Sequence, residues 1–307
     1  MNFDPSNPQY RSVRSRYAAA FQEPANMVCL ASMAALSAAL LNPLPIMAGL
    51  LIEAAYMLFV PDTAWFMNRV EARFDNEVRQ HREALKAKLF PKVRDEVREK
   101  FTWLEQYRAQ IEQGSDVKDK WFREALRKLD FLLEKYLQFG DREAEFLNYL
   151  YSLTHEASST MTLDEIRHLP ASFKGQSVNS TSASSHISHE DVKVLIDVIR
   201  SHYDSEIENI GKQIEAETVY ATKDILNKHK EVLSRRREFI VRLSDMLVNL
   251  RHQMELIAET FGLINDEMRA RSPEQVLADI DEVVMQATSL TDALDQVTPA
   301  DQVVAQI

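Results

Sequence analysis

Glycine is scarce in this sequence: there are six in 307 residues, and they are widely scattered. A loop that cradles phosphate with its backbone needs several glycines close together, so a nucleotide-binding fold is not expected. Cysteine is scarcer still. The single Cys29 rules out an intramolecular disulfide and any cysteine-rich zinc site, and it reads as a small residue of an apolar segment. Basic side chains are in the minority, with 36 Lys plus Arg against 47 Asp plus Glu and a formal net charge of −11. A sequence-independent grip on nucleic-acid phosphates is therefore not expected.

Charge itself is almost missing from one stretch. Between Pro24 and Pro61 there is no Lys, Arg or Asp, and Glu53 is the sole charged side chain. Asn42, Pro43, Leu44 and Pro45 divide this run, because two prolines end one helix and open the next. The expectation is an apolar helical hairpin over residues 24–61. Ala31, Ala35 and Ala39 recur every four residues on its first arm, a small-residue face that admits a close helix neighbour.

Spanning helices need about 20 apolar residues, and these arms fall short of that. On an insertion scale Leu, Ile, Phe and Val each contribute about −0.3 to −0.6 kcal/mol, so the second arm gains about −3 kcal/mol. A central Glu53 at about 2.5 to 3.5 kcal/mol cancels nearly all of that. Insertion is thus expected of the pair, with Glu53 paired, neutral or near the interface. Arg11, Arg14 and Arg16 precede the segment and Arg69, Arg73, Arg79 and Arg82 follow it, which marks both ends as cytoplasmic. A cleaved secretory signal fits poorly, since a second apolar stretch stands where a polar mature start belongs.

The remainder reads as helices, making the chain all-α. Residues 1–23 form a basic entry segment. Residues 62–156 form a helical module with apolar side chains at steps of three and four, such as Phe66, Val70, Phe74 and Val78, a kink expected at Pro91 and an interruption at Gly140-Asp141. Residues 157–188 hold nine serines and three threonines and read as a flexible linker. Residues 189–271 read as a coiled-coil module. Its heptad seam runs Leu226, His229, Leu233, Arg236, Ile240, Leu243, Leu247, Leu250, Met254, Ile257 and Phe261, then on through Ile264 and Met268. Residues 215–224 lose the apolar period, so either the rod loosens there, or the chain folds into an antiparallel pair near Asn227 to Lys230. Residues 272–307 carry seven acidic and no basic side chains, an acidic amphipathic helix and tail suited to a basic surface, including the chain's own.

Sites of chemistry are thin. His186 and His189 lack the further ligands of a metal centre. Glu165 and His168 match half of a carboxylate-bridged di-iron pattern that has no second copy. Arg235, Arg236 and Arg237 read as a solvated helix face, with Arg236 and His229 as polar seam positions that set register. No catalytic site, metal or cofactor is expected.

The function expected is that of a membrane-associated helical scaffold that binds lipid, self-associates through the coiled coil and recruits partners. A pore-forming effector with a switchable hairpin is one alternative. A soluble adaptor whose hairpin is an oligomer core is the other.

Overall fold

The structure is a computed structural model that describes residues 21, 23–60, 63–114, 120–159, 161–170, 189–267 and 273–295. Most of the basic entry segment, most of the serine-rich stretch including His186, Met268 and the final twelve positions lie outside the described residues. Among the described residues the fold is all-α: α1 (Pro24–Leu40), α2 (Leu44–Phe59), α3 (Ala64–Leu89), α4 (Asp95–Gly114), α5 (Lys120–Ala157), α6 (Leu163–His168), α7 (His189–Ala216), α8 (Tyr220–Glu267) and α9 (Pro273–Asp295). The chain divides into two compact units, Met1–Lys86 and Ala87–Ile307, with the boundary inside α3.

In the first unit α1 and α2 pack as a pair. Pro24 opens α1 behind an extended Glu23, the position where proline's missing N–H is least costly. Leu41 ends it in the left-handed conformation at φ 48°, unusual for a residue with a Cβ. Pro43 and Pro45 then start α2. The division expected at Asn42 to Pro45 is thus where the chain turns.

In the second unit α5 is the central helix, 38 residues long. It packs against α4, α8 and α9 and, toward its end, against α7. Phe131, Leu132, Leu133, Tyr136, Leu137 and Phe139 are all buried on consecutive turns, which no one-sided helix could achieve. The interruption expected at Gly140-Asp141 does not occur. Gly140 instead marks close approach, since a Cβ there would lie 2.6 Å from Val97 Cγ1 on α4. Pro91 breaks the chain where a kink was expected. α3 stops at Leu89, and the Lys92 and Val93 amides return to the Leu89 carbonyl at 2.8 and 3.2 Å before α4 begins.

Three of the charges that α5 carries inward, on Lys128, Asp130 and Glu143, are paired, which offsets the cost of burying them. Lys128 meets Asp281 of α9 at 2.7 Å. Asp130 accepts from Arg108 of α4 at 2.8 Å. The buried Glu143 joins Arg94 at 3.2 Å and Arg251 of α8 at 2.6 Å. The acidic α9 therefore docks on basic groups of its own chain, with Asp295 also 3.5 Å from Arg142.

The long rod is an antiparallel pair. α7 ends at Ala216, the Glu217 side chain accepts the Thr218 and Val219 amides at 2.8 and 2.9 Å, and α8 starts at Tyr220. Gly211 lies beside Lys230 and Asp204 pairs with Arg237, so the two helices run in opposite directions. The turn falls about ten residues before Asn227 to Lys230, where the apolar period lapses.

The seam is filled from within the chain. Leu233, Ile240, Leu243, Leu247, Leu250, Met254, Ile257, Phe261 and Ile264 are buried, and α8 packs on α4, α5, α7 and α9. Leu226 is half-buried and His229 is exposed. Arg236 donates to Glu156 of α5 at 2.9 Å. Residues expected to form separate modules share one core, in which Leu147, Leu150 and Leu153 of α5 join Val192, Leu195 and Ile199 of α7.

A short α6 stands inside the stretch expected to be linker. Thr162 caps it by accepting the Glu165 amide, while the Glu165 carboxylate accepts the Thr162 amide at 2.7 Å.

Candidate membrane-docking surface

The two arms of the hairpin meet through their few polar groups. Asn26 Nδ2 donates to Glu53 Oε1 at 2.8 Å, joining α1 to α2. The Tyr56 hydroxyl donates to Glu23 Oε2 at 2.7 Å. Arg69 of α3 pairs with Glu23 Oε1 at 3.2 Å, and its guanidinium lies over the Trp65 ring at 5.2 Å. Partial burial, the hydrogen bond to Glu23 and the charges of Glu23 and Glu53 push the Tyr56 phenol up to about 12, against the opposing pull of Arg69. Glu23 and Asn26 are buried, and Glu53 and Tyr56 are half-buried.

The turn satisfies itself in the same way. Ser37 donates to the Asn42 carbonyl at 2.6 Å, and Asn42 Oδ1 accepts the Leu44 amide at 3.0 Å. The Leu41 and Asn42 amides return to the carbonyls of Ala38 and Ser37. Ser32 donates to the Cys29 carbonyl at 2.8 Å.

Apolar side chains face outward. Val28, Leu36, Leu40, Leu50, Leu51, Ile52, Leu58 and Phe59 are each at least half exposed, and Leu41 at the turn is 93% exposed. Soluble helices place apolar groups against a partner and polar groups in solvent. This pair does the reverse.

Ala31, Ala35 and Ala39 also face outward, so the small-residue face is not the contact between the arms. The close approach falls on Gly49 instead, where a Cβ would sit 3.1 Å from Met33 Cβ. The contact face of α1 runs through Asn26, Met33 and Ser37, and that of α2 through Pro45, Gly49, Glu53 and Tyr56. Asn42 and Pro43 are exposed in the turn. Of the residues singled out in the sequence, Glu53 is the one placed at the polar seam. Glu23, Asn26 and Tyr56 were missed and Arg69 was read as a flanking positive charge alone, although folding the arms about Asn42-Pro43 sets Asn26 within about two turns of Glu53.

No helix among the described residues is long and apolar enough to cross a membrane. Nor do the described residues hold a group of three His, Cys, Asp or Glu side chains placed to bind a metal. Glu165, half of the apparent di-iron motif, faces His202 of α7 at 3.5 Å, with Glu206 at 3.7 Å on the other ring nitrogen. Partial burial pushes its carboxyl up, but the Thr162 hydrogen bonds and the His202 charge outweigh this and hold it low. Arg235 pairs with Glu231 at 2.6 Å on an exposed face. Comparisons with known protein families, with curated proteins and with solved structures found no match to the chain.

Proposed function

We propose that the protein is a membrane-associated helical scaffold that docks through the α1–α2 hairpin and carries the helical unit Ala87–Ile307 as its body. The observation that carries this is the inverted polarity of the hairpin, with polar groups bonded inward and apolar side chains outward. An apolar surface of that extent calls for lipid or a protein partner. Lipid fits the turn best, because its serine hydroxyls and turn amides are already bonded within the chain, as hydrocarbon demands.

Entry is by the turn and does not cross. The arms are 17 and 16 residues long, about 25 Å at 1.5 Å per residue, against a hydrocarbon core of about 30 Å. Leu41 leads, and Trp65, Tyr56 and Arg69 lie at the open end, where aromatic and cationic side chains suit the headgroup layer. The exposed Leu, Ile, Val and Phe side chains together favour insertion by about −3 to −7 kcal/mol on the same scale. Self-association through the α8 seam is not part of this reading, since those side chains already pack within the chain.

The test is flotation of the full chain with phosphatidylcholine vesicles. Wild type should float, and joint replacement of Leu50, Leu51 and Phe59 by serine, all exposed, should reduce vesicle partition about tenfold with the helical signal unchanged. A wild-type chain that stays in the aqueous fraction as a defined oligomer would sink the docking reading in favour of a soluble adaptor.

A further inference from the structure

We infer that docking of the hairpin is linked to uptake of a proton by Glu53, so that acid drives the chain onto lipid. This deepens the proposed function and rests on it. The geometry distinguishes two carboxylates. Glu23 has a cation beside it, Arg69 at 3.2 Å, and also accepts from Tyr56. Glu53 accepts a hydrogen bond from the neutral Asn26 amide, and no cation pairs with it among the described residues.

Among the described residues, the groups that face Glu53 are few. From α1 they are Asn26 and, through Tyr56, Glu23. Its own helix supplies Tyr56, whose phenol feels both carboxylates, and α3 supplies Arg69, which is committed to Glu23. Nothing in this set neutralises Glu53 directly.

Glu53 lies one turn below the headgroup-level Tyr56, at the edge of the hydrocarbon, where an ionised carboxylate costs more than the neutral acid. The Asn26 bond survives protonation, because the acid's carbonyl oxygen still accepts the amide. Docking and protonation of Glu53 therefore favour one another. The sign follows: the docked state binds one more proton than the free state, so partition rises as pH falls and is lost as pH rises, by at most about tenfold per pH unit.

The experiment is flotation of the full chain with phosphatidylcholine vesicles, whose headgroups do not titrate between pH 7.5 and 5. Wild type should gain at least about tenfold in partition across that range. Glu53→Gln keeps the shape and the acceptor for Asn26, and should partition at pH 7.5 at least as strongly as wild type does at pH 5, with its pH dependence gone. Glu23→Gln should keep the wild-type slope. A wild-type partition that is strong and flat with pH, or a Glu53→Gln variant that retains the slope, overturns the proton linkage and leaves docking standing. If wild type and Glu53→Gln both stay in the aqueous fraction at every pH, docking itself fails and the linkage falls with it.

Discussion

Asn26 and Glu53 are 27 residues apart in the chain and 2.8 Å apart in space, and their hydrogen bond joins α1 to α2. Hydrogen bonds to charged groups contribute about 1.5 to 3 kcal/mol, less where one partner is half-exposed. Asn26→Ala should accordingly loosen the pair by about 1 kcal/mol, read as roughly fivefold faster amide exchange across α1 and α2. In a Glu53→Ala background the same change should have little further effect. Equal acceleration in both backgrounds would show that the bond does not hold the arms together.

Tyr56 supplies a second signature of the polar seam. Its phenol is raised to about 12 by partial burial and by Glu23 and Glu53, above the ordinary value of 10.0. A phenol harder to ionise in the folded hairpin contributes stability that is complete below pH 10 and lost as pH rises through 12. Among the nine tyrosines, the one removed by Tyr56→Phe should be a late-titrating absorbance change, and Glu23→Gln should shift that change toward lower pH. A Tyr56 that titrates with the exposed tyrosines would contradict the seam geometry.

Gly140 holds the middle of α5 against α4. Alanine is the better helix former by about 1 kcal/mol, so on propensity alone Gly140→Ala would stabilise the helix. The added Cβ would stand 2.6 Å from Val97 Cγ1, a short β-branched side chain that cannot swing aside. A net loss of about 1 to 3 kcal/mol in urea unfolding is expected, and Val97→Ala in the Gly140→Ala background should recover part of it. Stabilisation by Gly140→Ala alone would mean the helices are not in close contact here.

Gly140 also shows where sequence reading reached and where it stopped. Helical periodicity identified the all-α class and the buried face of α8, and the two prolines identified the Asn42–Pro45 turn, because each depends on residues within one short stretch of chain. Whether a lone glycine interrupts a helix or admits a neighbour depends on what lies opposite, here Val97, forty-three positions away in the chain. The α8 seam carries the same ambiguity: the stripe Leu233 to Phe261 says which face is buried and not which helix buries it. In the hairpin the limit is sharper. When every face of an arm is apolar, period carries no information about the contact face, so the alanine spacing pointed to Ala31, Ala35 and Ala39 while the contact fell on Met33 and Gly49. The missed residues are polar ones at the arm ends, and a search for polar groups that meet when the hairpin closes would have found Asn26.

The α8 seam yields the last prediction. If the seam joined separate copies of the chain, Leu243→Asp and Leu250→Asp would split an oligomer and leave the monomer folded. Leu243 and Leu250 are instead 1% and 0% exposed within a single chain. An aspartate at either position places an unpaired carboxylate in the core and removes several methyl and methylene groups from it. Loss of a buried leucine costs about 2 to 5 kcal/mol before the charge is counted, a large share of the 5 to 15 kcal/mol that stabilises a typical domain. Each substitution should thus unfold the unit Ala87–Ile307, lowering both its helical signal and its midpoint in urea. Oligomer loss with the helical signal and unfolding midpoint intact would assign the seam to contacts between chains.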